Sequence, residues 1–358
     1  MTPVAAAAPP AADIRPGRVI VSTAASDAEW DAYVRAHPDG TVDHLWGWRS
    51  VIARALGHEG EYLEARRDGA LVGVLPLVLV RSRVFGRSVI SMPFLNYGGV
   101  LADDATVAAA LFDAATDIAR RFGASHVEFR HRTRIRPDLP CRQHKLAMQR
   151  PLPPTSEELW AAVDRKVRNQ VRKAQKSGLE VRSGAHELVD EFYGVFARNM
   201  RDLGTPVYPR TLFRETLDAF ADAARVYVIR HGSTCIAGGV VLRFEDTVVN
   251  PWASSLREFR PLCANMLLYW SMLEDAVRGG ATSFDFGRSS PGGGTHQFKL
   301  QWGAVEQPLC WEYVLLTRRE APDQGPSSGR FDAAIAVWRR LPVGLANVLG
   351  PLVARHLP

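Results

Sequence analysis

Amphipathic helical segments followed by strand-like runs occur twice along this chain. Residues 104–121 and 261–278 place apolar side chains at spacings of three and four, which is typical of a helix that buries one face. Each is followed by a similar β-rich run, RFGASHVEF at 121–129 and RGGATSFDF at 278–286. The pattern therefore predicts two helix–strand units of the same design.

Two β-hairpins are predicted at matching positions upstream of these helices. Residues 61–80 and 224–244 each contain two β-rich runs around a tight, glycine-containing turn. Because the order of hairpin, helix and strand recurs, we interpret the chain as a tandem duplication of one α/β unit, with its boundary near the Pro-rich segment 150–155. Chance similarity between two ordinary strand–turn–helix units is the alternative.

Length and composition fit two globular domains. The 358 residues are long for one hydrophobic core, and 46% apolar with 23% charged residues is ordinary for globular protein. We expect domains at 18–150 and 151–320, a disordered Ala/Pro-rich tail at 1–17, and a linker with an amphipathic helical tail at 321–358. The N-terminal tail lacks the basic and apolar regions of a signal peptide, and no apolar run reaches the ~18 residues of a spanning helix. We therefore expect a cytoplasmic protein.

Net charge and cysteine content indicate the kind of partner and the redox compartment to expect. The net charge of +6 favours an anionic partner or surface. Four cysteines lie far apart with no C-x-x-C pair, which indicates structural thiols in a reduced compartment. His126, His131, Cys141 and His144 are close in sequence, but their spacing matches no zinc signature. We therefore expect no metal.

The second copy of the strand ends in an unusual polar stretch, SFDFGRSSPGGGTHQFKLQWG at 283–303. It is not a P-loop, because Gly293 stands where that motif requires lysine, and it matches neither a dinucleotide fingerprint nor a nucleophile elbow. Since ligands of α/β proteins gather beyond strand ends, we expect this stretch to carry chemistry. Its glycines 292–294 suit either a mobile lid or a plain surface loop, and His296 either a base or a structural residue.

A strongly basic helix is predicted at 155–178. It begins with a capping-box pattern at Thr155 and Glu158 and ends near Gly178. One apolar stripe consists of Val163, Val167, Val171 and Ala174. The cations are Arg165, Lys166, Arg168, Arg172, Lys173 and Lys176, with no acid among them. A solvated basic face and a surface for the phosphates of a nucleic acid or a diphosphate-linked precursor are both compatible with this pattern.

Four segments together resemble a known enzyme family. The basic helix RKVRNQVRKAQKSGLEV, the segment MRDLGTPVYPRTLF, the helix ANMLLYW and the stretch FDFGRS…QFKLQWG are similar, in this order, to the FemAB-type aminoacyltransferases. More closely, the chain resembles the FemAB-related proteins associated with PEP-CTERM and exopolysaccharide systems of bacteria. The resemblance covers residues 20–317 and rests on the order of the segments rather than on one decisive motif.

The resemblance implies a fold and an activity. The implied fold is α/β of the α+β kind, a tandem pair of GNAT-like domains, each a mixed, mostly antiparallel sheet flanked by helices. The implied activity is N-acyl transfer, since well-known members move an amino acid from aminoacyl-tRNA onto an amine of a peptidoglycan precursor. No cofactor is implied, because the acyl donor, aminoacyl-tRNA or acyl-CoA, is a co-substrate. Neither half contains the R-x-x-G-x-[GA] pyrophosphate loop of acetyl-CoA-dependent GNAT domains, which weakens the acyl-CoA alternative.

The expected catalytic residues are Lys299 and Asp285. Lys299 matches the lysine of the family's FK motif and is expected to stabilise the oxyanion or to contact phosphate; an exposed lysine on a strand edge is the alternative. We expect Lys299→Ala to reduce turnover more than stability. Asp285 could hold or deprotonate the amine, but the acid at its counterpart, Glu128, favours a structural role. The expected substrate-binding residues are Arg288, Ser289, Asn96, Tyr97, Tyr208, Trp252, Asn265, Arg168 and Arg172.

Other functions and partners stay open at this point. An acyl-CoA-dependent acetyltransferase of exopolysaccharide biosynthesis and a non-catalytic protein that binds a glycan precursor or RNA are the alternatives. Expected partners are an anionic cell-envelope precursor, the acceptor end of a tRNA, and the inner membrane. The tail places four apolar residues on one helical face and either packs on the core or lies at a membrane interface. These residues are Phe331, Ile335, Trp338 and Leu341. The sequence does not specify the acyl group, the acceptor amine or the oligomeric state.

Overall fold

The fold is known from a computed structural model that describes residues 17–82, 85–322 and 331–357. Its strands are β1 (Val19–Thr23), β2 (Glu59–Arg67), β3 (Ala70–Ser82), β4 (Gly86–Ile90), β5 (Leu101–Ala102), β6 (His126–His131), β7 (Cys141–Arg142), β8 (Leu146–Pro151), β9 (Leu179–Gly184), β10 (Ala224–His231), β11 (Thr234–Phe244), β12 (Thr247–Ser255), β13 (Ser283–Ser289), β14 (Val305–Pro308) and β15 (Cys310–Leu315). The expected disordered tail lies outside the described residues except for Gly17.

Helices flank these strands. They are α1 (Asp27–Ala36), α2 (Trp48–Leu56), α3 (Ala105–Phe122), α4 (Ser156–Ala162), α5 (Arg165–Lys176), α6 (Val189–Leu203), α7 (Arg210–Ala219), α8 (Ala264–Arg278), α9 (Gly294–Gln301), α10 (Asp332–Trp338) and α11 (Val343–Ala354). Short 3-10 helices occur at Val42–His44, His186–Leu188 and Arg257–Leu262. The predicted long helices are thus α3 and α8, and the predicted hairpins are β2–β3 and β10–β11.

The strands form two sheets of the same topology. The first has the order β1-β2-β3-β4-β6-β15-β7, with β5 beside β3, and the second has the order β9-β10-β11-β12-β13-β8-β14. Each contains one parallel pair, β4–β6 and β12–β13, and its other pairs are antiparallel. The position of each strand in one sheet has its counterpart in the other. The expected tandem duplication into two mixed, mostly antiparallel units is therefore confirmed.

The two units exchange their last strands. Strand β8, which precedes most of the second unit in sequence, pairs with β13 in the second sheet. Strand β15, which follows the second unit, pairs with β6 in the first sheet. The expected boundaries 18–150 and 151–320 therefore do not separate the two sheets. The alternation of side chains in a β-rich run specifies its buried face but not its neighbouring strand, so the sequence pattern alone could not assign it to a sheet.

The predicted basic helix is two helices. Thr155 Oγ1 accepts the Glu158 amide at 3.2 Å and caps α4, whereas Asp164 Oδ1 accepts the Lys166 amide at 2.7 Å and caps α5. Aspartate at this position starts a new helix because its side chain satisfies an otherwise unpaired amide. The predicted apolar stripe is confirmed as buried at each of its positions, Val163, Val167, Val171 and Ala174.

The C-terminal tail packs against both units. His58, next to β2, hydrogen-bonds to the carbonyl of Arg355 at 2.7 Å, and Arg201 on α6 donates to the Leu341 carbonyl at 2.8 Å. Ile335 lies against Gly204 at the end of α6. The core-packing alternative for the tail is therefore correct for its inner face. Among the described residues, none of the helices combines the length and apolarity that crossing a membrane requires.

One cysteine pair corrects the expectation of structural thiols. Cys141 on β7 and Cys310 on β15 are joined in a disulfide, whereas Cys235 and Cys263 are free. The two bonded residues are far apart in sequence and become neighbours only because β15 crosses into the first sheet beside β7. The strand exchange thus explains why cysteine spacing did not reveal this bond.

Candidate functional site

A site forms where the parallel strands of the second sheet separate. Strands β12 and β13 are paired only as far as Val249 and Asp285; beyond that point β13 continues beside β8 alone. A bulge at this point brings Gly287 into the left-handed region, with φ of 71°. A Cβ atom at this position would lie 3.3 Å from the side-chain amide nitrogen, Nδ2, of Asn96. A loop of the first unit therefore packs directly on the carboxyl end of β13.

Asp285 joins the two units beneath this loop. Its Oδ2 accepts the Tyr97 hydroxyl at 2.8 Å and the Gln149 amide at 2.9 Å, and its Oδ1 accepts the Gly287 amide at 2.7 Å. The carboxylate is buried, so these donors replace water around its charge. With both oxygens engaged, Asp285 is placed to hold the bulge and Tyr97 in position.

Lys299 lies on α9 and is buried rather than exposed on a strand edge. Its Nζ donates to the backbone carbonyls of Gly287 at 3.1 Å and Arg288 at 2.9 Å. Burial lowers the pKa of Lys299 to about 8; the charge of Asp285 opposes this shift and that of Arg288 adds to it. The ammonium therefore sits at the end of β13 in a poorly hydrated environment.

Arg288 extends from the same strand end towards the first unit. Its amide donates to Asn96 Oδ1 at 3.4 Å, and its guanidinium donates to the Leu95 carbonyl at 3.0 Å and lies 5.3 Å from the ring centre of Trp311. Arg130 lies 4.3 Å from the same ring. Burial, followed by repulsion from Arg130, lowers the pKa of Arg288 to about 10. Two guanidinium groups thus share one aromatic ring.

Lys145 adds a third cation that the sequence analysis missed. Its Nζ donates to Ser290 Oγ at 2.7 Å, and burial together with repulsion from Arg288 and Arg130 lowers its pKa to about 8. We refer to Lys145, Arg288 and Lys299 as the cation cluster. Glu128 pairs with Arg130 at 2.7 Å. By contrast, no carboxylate of the described chain forms an ion pair with any member of the cation cluster.

An unpartnered hydroxyl directly follows Arg288 on β13. Ser289 is buried, and its Oγ has no hydrogen-bond partner among the residues that the structure describes. A buried hydroxyl without a partner costs free energy, which a bound polar ligand would recover. Tyr208 is close enough to Arg288 and Arg130 for their charges to oppose the burial-driven rise of its pKa. Tyr208 is therefore near the cation cluster, and Ser289 adjoins it along β13.

A second residue missed from the sequence is Asp43. Its Oδ2 accepts the backbone amides of Asn96 at 3.0 Å and Tyr97 at 2.9 Å, which fixes the loop that meets β13. Burial raises the pKa of Asp43 to about 7, although these two amides act in the opposite direction. Neither Asp43 nor Lys145 lies in a motif, so no sequence signal distinguishes either residue from a surface charge.

Four of the expected substrate-binding residues make no hydrogen bond to the cation cluster in the described part of the chain. Trp252 is buried in the core, where its ring centre lies 5.1 Å from that of Phe213, so it packs the fold. Asn265 lies in the first turn of α8. Arg168 donates to the Trp160 and Ala161 carbonyls at 3.2 and 3.1 Å, and Arg172 lies 5.3 Å from the Trp160 ring centre. These two arginines secure α4 to α5.

The glycine-rich segment leads directly into α9. Gly293 caps this helix, and the Gly292 amide donates to His296 Nδ1 at 3.1 Å. The other ring nitrogen of His296 lies 2.6 Å from Glu306 on β14. His296 thus ties the turn to the sheet, which favours its structural role.

The histidines and the cysteine considered for zinc do not converge. His131 pairs with Glu312 at 2.6 Å, Cys141 is in the disulfide, and the ring of His144 packs on Trp311 at 4.8 Å. Within the described ranges, no group of three or more His, Cys, Asp or Glu side chains is arranged to hold a metal ion.

Comparison with known proteins identifies the type of fold. Residues 161–300 match the model of a family described as an acetyltransferase (GNAT) domain. This segment contains α5, α8, β13 and Lys299, and it covers less than half of the chain. At the sequence level, no curated protein matches the chain.

Solved structures match over most of the chain. A structure of FemX superimposes with a TM-score of 0.65 at 16% identity, covering 84% of this chain and 98% of that one. The C-terminal domain of a putative lysylphosphatidylglycerol synthetase from Agrobacterium fabrum gives 0.55 at 15% identity, with coverages of 87% and 94%. A tandem GNAT protein from the clavulanic acid biosynthesis pathway gives 0.53 at 14% identity, with coverages of 83% and 97%. The expected fold, a tandem pair of GNAT-like domains, is therefore confirmed.

Proposed function

We propose that this protein is an N-acyltransferase that transfers an aminoacyl or acyl group to an amine of an anionic cell-envelope precursor. The acceptor is a peptidoglycan-type peptide or an amino sugar of an exopolysaccharide. The observation that carries this proposal is the cation cluster at the carboxyl end of β13, beside the unpartnered Ser289 hydroxyl. The match of residues 161–300 to an acetyltransferase model supports acyl transfer as the reaction.

Lys299 is suited to stabilise the transition state of this reaction. The acceptor amine attacks the carbonyl carbon of the donor ester or thioester and a C–N bond forms. The C–O or C–S bond then breaks, and the proton lost by the amine passes to the departing tRNA hydroxyl or CoA thiol. Negative charge develops on the carbonyl oxygen in between, and preorganised donors stabilise it best. An ammonium has three N–H donors. Backbone carbonyls accept two of those on Lys299, which leaves the third for the oxyanion.

Arg288 and Lys145 are suited to bind the anionic part of the acceptor. Burial lowers the pKa of both groups, and neither forms an ion pair with a carboxylate in the described part of the chain, although the charges of Glu128 and Asp43 act on Arg288 from a longer distance. A partly buried charge without an ion-pair partner is unfavourable, so a phosphate or carboxylate from the substrate would stabilise the site. A guanidinium is particularly suited to this role because it binds such groups in a bidentate manner.

The structure favours an aminoacyl ester over acyl-CoA as the donor. Between β12 and α8, where the sequence lacks the pyrophosphate loop of acetyl-CoA-dependent GNAT domains, the chain forms the 3-10 helix Arg257–Leu262. Pro261 lies within it, so one backbone N–H that could bind phosphate is absent. The exposed cations of α5 offer contacts for RNA phosphates instead. These are Arg165, Lys166, Arg172, Lys173 and Lys176.

Transfer assays with both kinds of donor test this function. Purified full-length protein is incubated with labelled aminoacyl-tRNA or acyl-CoA and with amine-bearing cell-envelope precursors, and the label on the acceptor is measured. We expect transfer from aminoacyl-tRNA and its loss in the variant Arg288→Ala, with Gln297→Ala as an exposed control on α9. Transfer from acyl-CoA alone would support an acetyltransferase of exopolysaccharide biosynthesis. Tight precursor binding without transfer from either donor would overturn the enzymatic proposal in favour of a binding protein.

A further inference from the structure

Helix α11 buries small residues and exposes large apolar ones. Its inner face consists of Ala346, Gly350 and Ala354, which are buried at intervals of four residues. The fit is close, because a side chain at Gly350 would lie 2.7 Å from Val207 Cγ1. A surface helix ordinarily places its large apolar side chains inward and polar ones outward. The arrangement in α11 is the reverse.

The outward side of α11 is continuous and apolar. We define the α11 apolar face as Leu345, Val348, Leu349, Leu352 and Val353, all of which are exposed. Val348 keeps 66% of its surface exposed and Leu352 keeps 57%. At about 100° per residue, the five positions cover an arc of about 140°. Contiguous apolar surface of this kind on a folded protein marks an interaction site.

Basic side chains flank this face. Arg339 and Arg340 precede α11, Arg355 follows it, and all three are exposed. No acidic residue occurs after Asp332 in the sequence. On α6, which packs against α11, Asp202 is paired with Arg201 at 2.8 Å. The apolar face is therefore bordered by positive charge, as in helices that lie at an anionic membrane interface.

We propose that the α11 apolar face docks this protein on an anionic lipid bilayer, with the helix parallel to the membrane plane. Its leucine and valine side chains would enter the boundary of headgroups and acyl chains, while the three arginines contact lipid phosphates. Charge distinguishes this partner from a second copy of the chain, because two-fold pairing through α11 would bring like-charged arginines together. Docking is separate from acyl transfer, since lipid binding is measured without either substrate.

Vesicle flotation with the full chain tests the proposal. The vesicles consist of phosphatidylcholine alone or of an equimolar mixture of phosphatidylcholine and phosphatidylglycerol. We expect at least about tenfold stronger partitioning onto the mixture at low salt, since each basic side chain near an anionic surface contributes about fivefold. Replacing Leu345, Val348 and Leu352 together by Gln should reduce binding by about tenfold or more. Replacing Arg340 and Arg355 by Gln should reduce binding to the mixed vesicles and leave binding to the pure phosphatidylcholine vesicles unchanged.

Matched controls separate docking from folding. Ile20 on β1 is 61% exposed, similar to Val348, so Ile20→Gln should leave vesicle binding unchanged. Thermal unfolding shows whether each variant is folded. If the triple variant does not fold, the single variant Val348→Gln is used in its place. No binding to the mixture, equal binding to both vesicle types, or wild-type binding by the folded triple variant would each overturn the proposal. A dimer that the triple variant abolishes, without vesicle binding, would assign the face to a second copy instead.

Discussion

Lys299 combines two roles that are usually separate in a lysine. It supports the backbone at the end of β13 through the Gly287 and Arg288 carbonyls, and it brings a poorly hydrated ammonium to the cation cluster. Both roles follow from its placement on α9, which turns back towards the strand immediately after the glycine-rich segment. On the proposed function, we therefore expect substitution of Lys299 to affect folding and catalysis together.

Lys299→Ala should reduce both turnover and stability. Loss of an oxyanion donor typically lowers kcat by about 100-fold or more. Removing Nζ also leaves two buried carbonyls without their donor, which costs about 1–3 kcal/mol. Steady-state kinetics and thermal unfolding measure the two effects, and Gln297→Ala on the exposed side of the same helix should change neither. Wild-type turnover in a folded Lys299→Ala protein would exclude this lysine from the mechanism. The structure thus revises the expectation of a mainly catalytic effect.

Activity and stability should respond to alkaline pH in opposite directions. The protonated forms of Lys299 and Lys145 bind negative charge, so kcat/KM should fall as pH rises through about 8. Between about 8 and the ordinary value of 10.5, the unfolded chain binds more protons at these lysines than the folded one. Their contribution to stability therefore increases with pH over this interval. The measurements are kcat/KM and the free energy of unfolding from pH 6.5 to 10, with Lys299→Arg and Lys145→Gln for comparison. The prediction is contradicted if kcat/KM does not fall, or if the lysines' contribution to stability does not rise, above pH 8.

At the scale of elements, α5 has its packing residues on one side and most of its charged residues on the other. Its apolar stripe is buried against the second unit, while Arg165, Lys166, Arg172, Lys173 and Lys176 face solvent. Arg168 is occupied by hydrogen bonds to α4, and the exposed Arg172 also packs on the Trp160 ring. Only the exposed set is therefore free to bind phosphate, although all six cations look equivalent in the sequence.

Reversing two charges on α5 should weaken donor binding without unfolding the protein. For the double variant Lys166→Glu and Lys173→Glu, we expect at least about tenfold weaker binding of aminoacyl-tRNA at low salt. The slope of log K against log salt should decrease by about 1.5, because two phosphate contacts are lost. Fluorescence titrations over a salt series measure both quantities. Arg121→Glu on α3, also exposed, is the control, and equal losses in the two proteins would point to a nonspecific charge effect.

At the scale of the whole molecule, the exchange of β8 and β15 makes the two units interdependent. Each sheet contains one strand from the sequence range expected for the other unit: β8 in the second sheet and β15 in the first. The site is built on the same exchange, since Lys145 immediately precedes β8 and Trp311 lies on β15. The duplication thus produced one molecule with a shared site rather than two separable domains.

Fragments divided at residue 150 should not fold separately. The first would lack β15 and the second would lack β8, so β6 and β13 would each lose one of their two neighbouring strands. Circular dichroism and thermal unfolding should therefore show no cooperative transition for either fragment alone. As a control, a full chain nicked at 153 keeps both strands and should remain associated and folded. A cooperatively folded fragment 18–150 would contradict the interdependence of the units.

The features that could be predicted from the sequence are those that depend on residues close together along the chain. The spacing of apolar residues in α3, α8 and α5 is a local property, because each helix buries one face whatever lies beneath it. The matching hairpins and strands indicated the duplication for the same reason. The capping aspartate that divides α4 from α5 was visible in the sequence but was missed, since the apolar stripe continues across Asp164.

The sequence by itself determined the long helices α3 and α8, the hairpins, the repeated order of elements and the region that contains Lys299, Arg288 and Asp285. Only the tertiary structure decided the strand exchange, the bond between Cys141 and Cys310, and the inclusion of Lys145 and Asp43 in the site. The physical reason is distance along the chain: Tyr97 meets Asp285 across 188 residues, and Lys145 meets Ser290 across 145. A periodic pattern specifies which face of an element is buried, but the partner of that face is chosen by packing of the whole molecule.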